Sequence, residues 1–201
     1  MKILLIPSVK EIFKNQFEYC IDKKLILFLK KTFANCKIEI FHNQILKIYD
    51  LIVLSGGNNT NNLKLKDNIR FQMNNKIYKF ALSNKIKIIG VCHGAQYLAK
   101  QNGFKLKKSS THLGLHKILL NSNGLKKKIS VNSYHDDIIL MKNSKNINIF
   151  GIANDNSIEA FHIKNKKILG IIWHPERYNN FKKLDLNLFR NFYATNTIEC
   201  R

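Results

Sequence analysis

A chain of 201 residues matches one ordinary domain with a real core, and a single catalytic domain over residues 1–201 is expected. Its 34 basic against 13 acidic residues leave a net charge of +21, but almost all the bases are lysines dispersed along the chain; with no clustered basic face and no stacking-aromatic motif, nucleic acid is excluded in favour of a generic basic surface or an anionic small substrate. No apolar run approaches the ~20 residues of a membrane span, the first residues are too short in their apolar part for a secretory signal, and Cys20, Cys36, Cys92 and Cys200 have neither paired nor metal-type spacing, so a cytoplasmic protein without disulfides or membrane contact is expected.

Short Ile, Val and Leu runs alternate with helix-like segments through the first half, the pattern of a parallel sheet with crossover helices. "KILLIPSV" (2–9) reads as a first strand, "KKLILFLKKTFANC" (23–36) as a helix, "KIEIFH" (37–42) as a second strand and "YDLIVLSGG" (49–57) as a third that stops on a glycine pair. In "LKDNIRFQMNNKIYKFALSN" (65–84), Ile69, Met73, Ile77, Phe80 and Ala81 recur near the helical period. "KIKIIGVC" (85–92) is a fourth strand, followed by the helix-compatible "AQYLAK". Beyond Gly103 the texture changes to shorter strands: "HKILLN", "KKKISVNSYH", "NINIFGIAN", "SIEAFHI" and "KKILGIIWHPE" suggest antiparallel hairpins and then a return to the main sheet, with a turn at "NDNS". The closing "LDLNLFRNFYAT" places Leu184, Leu188, Phe189 and Phe192 on one helical face. The expected fold is three-layer α/β and flavodoxin-like, with a mostly parallel central sheet, flanking helices and an antiparallel hairpin region.

The chemistry concentrates at "GVCHGAQ". A strand running into Cys92, with Gly90 and Gly94 on either side and a helix after it, has the form of a nucleophile elbow, where a strained turn holds the nucleophile out of the sheet. The helix N-terminus favours the thiolate, the reactive form of cysteine. Cys20 and Cys36 read as small core residues and Cys200 as incidental.

A cysteine nucleophile needs a base, and the base an orienting group. In "ILGIIWHPERY" an apolar strand ends at Trp173, and Pro175 holds His174 extended with Glu176 two residues on. Donors for a tetrahedral oxyanion are available at the strand-ending Gly56 and Gly57 and at the N–H of His93.

Taken together, "SGG", "GVCHGAQ", "VNSYHDD" and "IIWHPE", in this order over residues 50 to 178, resemble the class I glutamine amidotransferase superfamily, and the Asn-Ser-x-His signature resembles its branch of free-standing γ-glutamyl hydrolases, peptidase C26. The resemblance implies a Cys-His-Glu triad that attacks a γ-glutamyl amide, forms a thioester and releases glutamate. Carried over by position, Cys92 is the nucleophile, His174 the base and acid and Glu176 its partner; Gly57 and His93 are the backbone oxyanion donors. Gly56, Gln96, Ser133, Tyr134 and His135 surround the glutamyl moiety, a structural role for His135 being equally open. His112 and His116 receive no role beyond the surface or a pocket rim. On the helix before the elbow, Arg70 alone matches the charged set common in the branch, so the leaving-group side differs. The chemistry calls for no metal and no cofactor. Two uses of the triad stay open: hydrolysis of a γ-glutamyl adduct with an anionic or nucleotide leaving group, as in similar hydrolases of bacterial surface-polysaccharide pathways that release cytidine diphosphoramidate, or glutaminase action in the service of a partner synthase. A silent binding module with a basic surface is the third reading, disfavoured by the intact Cys, His and Glu set.

Overall fold

Every residue from Ile3 to Ile6 and from Leu51 to Leu54 is buried, as strands covered on both faces must be. The computed structural model describes residues 1–60, 64–109, 112–122, 124–141 and 145–198. In chain order its elements are β1 (Lys2–Ile6), β2 (Ser8–Phe13), β3 (Gln16–Cys20), α1 (Lys23–Thr32), β4 (Lys37–Ile40), β5 (Leu51–Leu54), α2 (Leu65–Ser83), β6 (Lys87–Val91), α3 (His93–Gln101) and β7 (Leu106–Lys108). There follow β8 (Leu113–Ser122), β9 (Leu125–Tyr134), β10 (Asp137–Ile139), β11 (Ile147–Ala153), β12 (Ile158–Ile163), β13 (Ile168–Ile171), a 3-10 turn at Pro175–Arg177 and α4 (Lys183–Thr195).

The main sheet runs β4-β1-β5-β6-β13-β12-β11-β8-β9. Its first five strands are parallel, and from β13 onward the pairing is antiparallel, so β13 is the expected return strand between the two halves. Successive residues of each parallel strand serve opposite faces. Ile3, Leu5, Leu51, Val53, Ile89 and Val91 pack under α1 and α4, while Leu4, Ile6, Ile52, Leu54 and Ile88 pack under α2 and α3. The expected α/β three-layer fold is therefore the observed one. On the α4 side Phe28 and Phe189 meet edge to face at 5.0 Å, and truncating such a buried ring to alanine costs about 3–5 kcal/mol.

The first strand ends earlier than expected. Pro7 has no N–H for the ladder and closes β1 at Ile6, after which Ser8 opens a separate hairpin of β2 and β3, closed by a turn with Asn15 at φ 64°. The three-residue strands β7 and β10, paired with each other, also escaped the sequence reading.

Three neighbouring parallel strands, β5, β6 and β13, deliver Ser55 to Gly57, Cys92 and His174 at their C-terminal ends, the edge where open α/β sheets bind ligands.

Candidate active site

Cys92 sits between β6 and α3 at φ 50° and ψ −110°, a conformation costing on the order of 1–3 kcal/mol for a non-glycine residue. Its neighbours hold it there: its N–H donates to the Ile171 carbonyl (2.8 Å) and its carbonyl accepts from the Gln96 N–H (2.9 Å). The glycines allow the approach. A Cβ on Gly94 would lie 2.3 Å from the Leu54 carbonyl oxygen, so only glycine lets α3 start against the end of β5. The first N–H groups of α3, led by that of His93, have no partner within the helix and face the anion-favouring end of its dipole.

Across from the thiol, His174 Nδ1 meets Glu176 Oε1 at 2.6 Å, with both side chains 2% exposed. The His174 backbone is clamped twice by Asn132, whose Oδ1 accepts from its N–H (2.8 Å) and whose Nδ2 donates to its carbonyl (2.9 Å). Tyr134 packs edge to face on the imidazole at 5.5 Å, and the Arg177 guanidinium lies 4.6 Å from the tyrosine ring centre. A Cβ on Gly56 would fall 2.7 Å from His174 Cε1 and 3.4 Å from Cys92 Cβ, so this glycine leaves space where thiol and imidazole adjoin. Burial alone would lower the imidazole pKa, but the charge of Cys92 and its hydrogen bond, then those of Glu176, outweigh it and raise the value to about 9. The arrangement favours a protonated imidazole beside the thiol.

Beside this pair the chain turns through Gly57 at φ 87°. The turn is fixed from below by Arg70, wholly buried on α2, which donates to the Ser55 carbonyl at 3.1 Å and whose guanidinium is brought down to about 9 by desolvation. From above, Asn58 exchanges two hydrogen bonds with the Val9 backbone, both 2.8 Å, and donates to Asp67 on α2 (3.1 Å). The β2–β3 hairpin is thereby tied to the turn. Between them lies a cleft of about 260 Å³ bordered by Gly56, Gly57, His174 and Arg177 and, from the hairpin, by Ser8 and Lys10. The His93 side chain is buried, and desolvation followed by the Arg70 charge lowers its pKa to about 3, so the ring is neutral.

The whole domain carries a family signature: the family described as glutamine amidotransferase class-I matches residues 14–195. The chain belongs to that family. Among curated amidotransferase-like relatives it is 28% identical to the γ-glutamyl-CDP-amidate hydrolase of Campylobacter jejuni over 169 residues, covering 80% of this chain and 81% of that one. It is also 28% identical to a putative glutamine amidotransferase of Schizosaccharomyces pombe (79% and 76% covered), and 35% identical to the carbamoyl phosphate synthase small chain of Wigglesworthia glossinidia brevipalpis over 59% of this chain and 34% of that one. The amidotransferase fold recurs in the crystal structure of a putative GMP synthase protein from Thermoplasma acidophilum, with TM-score 0.70 at 21% identity and 96% and 92% of the chains covered. A glutamine amidotransferase from Thermotoga maritima matches with TM-score 0.66 at 15% identity, covering 87% and 76%. This family and its hydrolase relative support hydrolysis of a glutamine or γ-glutamyl amide.

Within this amidotransferase domain the structure brings Cys92, His174, Glu176, Gly56, Gly57, the His93 N–H and Tyr134 to one place. Three other expected residues are engaged elsewhere. Gln96 is buried and donates to the Asp137 carbonyl (2.7 Å), Ser133 donates its hydroxyl to the His112 carbonyl, and His135 turns away from Tyr134 toward Glu159. His112 and His116, expected at the surface or a pocket rim, do border a pocket with Asp155, although His112 is only 3% exposed, and both also face Glu159 on β12. Cys20, expected in the core, lies half-buried on β3 at the cleft, and Cys36 is half-buried as well; Cys200 falls outside the described residues. Asn132, Asn58, Lys10 and Arg177 were missed. Asn132 was within reach, as the first polar residue of "VNSYH", but nothing local to the sequence shows that its carboxamide clamps a histidine 42 residues away. No helix among the described residues is long and apolar enough to cross a membrane.

Proposed function

We propose that this protein is a free-standing cysteine hydrolase, one catalytic domain in the cytoplasm, that cleaves a γ-glutamyl amide bearing an anionic leaving group. The observation that carries the reading is the strained Cys92 turn at the N-terminus of α3, beside an imidazole held by Glu176 at 2.6 Å. The Cys92 thiolate attacks the γ-carbonyl carbon, and the resulting oxyanion accepts N–H hydrogen bonds from Gly57 and His93. The His174 imidazolium protonates the leaving nitrogen as the C–N bond breaks, leaving a γ-glutamyl thioester. His174 then takes a proton from water, whose oxygen attacks the thioester carbon, and glutamate and the thiolate are released. The cycle needs neither metal nor organic cofactor.

The anionic leaving group is supported by the surface charge and by the cleft's position. Among the described residues Asp67, Asp137, Glu159, Glu176 and Asp185 are buried, which leaves the exterior more cationic than the sum suggests, and Lys10 lines the cleft beside His174 together with Arg177, itself paired with Asp22 at 3.7 Å. With the name of the Campylobacter relative, this favours a γ-glutamyl nucleotide amidate cleaved to glutamate and a cytidine diphosphoramidate for surface-polysaccharide modification. The similarity to a carbamoyl phosphate synthase small chain favours a second reading, a glutaminase serving a partner synthase. Glutamate release by wild type and Cys92→Ala, assayed on free glutamine and on γ-glutamyl-CDP-amidate without any partner, separates them. Cys92-dependent release from the amidate alone is expected; release from glutamine alone, or from neither, overturns the hydrolase reading.

A further inference from the structure

Away from the cleft, on the far side of the Ser133 to Asp137 segment, three imidazoles converge on one carboxylate. Glu159, 1% exposed near the start of β12, presents Oε1 to His112 Nδ1 at 3.1 Å, His116 Nε2 at 3.5 Å and His135 Nε2 at 3.8 Å. Donor atoms of His112, His135 and Glu159 all lie within 4.8 Å of one another.

Proton bookkeeping leaves this cluster short of positive charge. His135 Nδ1 lies 3.0 Å from the Asp137 carbonyl, which only accepts, so Nδ1 carries the proton and Nε2 presents a bare lone pair toward Glu159. That Nε2 and the second Glu159 oxygen, Oε2, are buried without a hydrogen-bond partner, as are both ring nitrogens of His116. Opposing lone pairs in a dry interior are costly unless a cation stands between them. A proton on His112 satisfies one contact with Glu159 and leaves His135 and Glu159 Oε2 unmatched.

From this geometry we propose that His112, His135 and Glu159 form a structural site for a divalent transition-metal cation, with Zn²⁺ the best chemical fit and His116 packed beside it. Imidazole and carboxylate donors suit zinc, and the 3.1–3.8 Å spacings about Glu159 Oε1 bracket the roughly 3.3–3.4 Å edge of a tetrahedron with ligands about 2.0–2.1 Å from the ion. The site shares no residue with the cleft beside His174, which makes it structural, and a water completes the tetrahedron around the three protein donors. The outer contacts match those of metal-binding histidines: His112 Nε2 faces Asp155 Oδ2 at 2.9 Å, Asp155 is itself held by Ser157, and His135 Nδ1 is held by a backbone carbonyl. The cation ties β8, β12 and the β9–β10 connection together. The same Asp137 carbonyl accepts from Gln96 beyond the elbow, and Asn132, on β9 three residues before His135, clamps His174, so the bound ion stiffens the segment that positions the base.

The test uses the full chain, stripped with a chelator and titrated with Zn²⁺ or Co²⁺ alone. Expected are about one cation per chain, a rise in melting temperature on adding Zn²⁺, and visible Co²⁺ bands of a tetrahedral nitrogen and oxygen site without a thiolate charge-transfer band. Glu159→Gln and His135→Ala should lose the cation, whereas Cys92→Ala should keep it. No uptake by wild type, a thiolate band, uptake unchanged in both cluster variants, or loss in Cys92→Ala would each overturn the proposal. Should the cluster variants fail to fold, the wild-type Co²⁺ spectrum and melting shift decide alone.

Discussion

Replacing Gly56 by alanine tests the thiol–imidazole contact while leaving both reacting residues in the sequence. The new Cβ would stand 2.7 Å from His174 Cε1, whereas carbon atoms settle about 3.5–4.0 Å apart, so the ring must retreat by about 1 Å. It has little freedom to do so, because Glu176 holds Nδ1 at 2.6 Å and Asn132 holds the backbone on both sides. A misplacement of that size costs on the order of 100-fold in rate, while overpacking costs about 1–3 kcal/mol in stability. Gly56 is not among the positive-φ residues, so the effect comes from contact and not from backbone strain. Steady-state glutamate release should show kcat lowered on the order of 100-fold with a modest change in KM, and alkylation of Cys92 should slow as the imidazolium withdraws. A folded Gly56→Ala protein with wild-type kcat would refute the placement of His174 as the acting base.

The remaining predictions concern the groups around that contact. His174 has a folded value of about 9 against an ordinary 6.5; its protonated form therefore contributes stability that is complete below about pH 6.5 and is lost as the pH rises through about 9. Wild-type melting temperature should fall over that interval more steeply than that of Cys92→Ala, where the main raising influence is gone, and kcat/KM should decline above about 9 as the general acid is lost; parallel melting profiles would contradict the ion pair. Asn132→Ala removes two hydrogen bonds to the His174 backbone, each contributing about 1 kcal/mol, and should lower kcat more than it raises KM; an unchanged kcat would show that the clamp is dispensable. Lys10→Glu at the cleft mouth should raise KM for a nucleotide amidate by roughly tenfold, equivalent to about 1.4 kcal/mol, with the effect shrinking at high salt. An equal effect on free glutamine would place Lys10 against the glutamyl end instead.

Much of the molecule was legible because its strongest signals are local. The central parallel strands are continuous apolar runs, the elbow is written in seven residues, and His174, Pro175 and Glu176 are adjacent in sequence. What stayed hidden depends on distant partners. Arg70, Asn74 and Asp67 interrupt the apolar face of α2, and only the fold shows that Arg70 and Asp67 are buried to fix the turn from Ser55 to Asn59. The β2–β3 hairpin carries mixed charged and apolar residues that are largely exposed, so it lacks the hydrophobic alternation that marks a half-buried strand. His135 lies well away in sequence from the pair at 112 and 116, and their common carboxylate, Glu159, is hidden inside the apolar "SIEAFHI".

That hairpin gives the protein two separable layers of control. The parallel strands supply the reacting groups, whereas the far wall of the cleft comes from an excursion between β1 and α1 that pairs only with itself and is pinned to the reacting side by the Asn58 carboxamide. Changes along β2 and β3 can therefore alter the molecules admitted without disturbing the sheet or the strained elbow. Substrate choice in such a scaffold can diverge quickly while the bond-breaking apparatus stays constant.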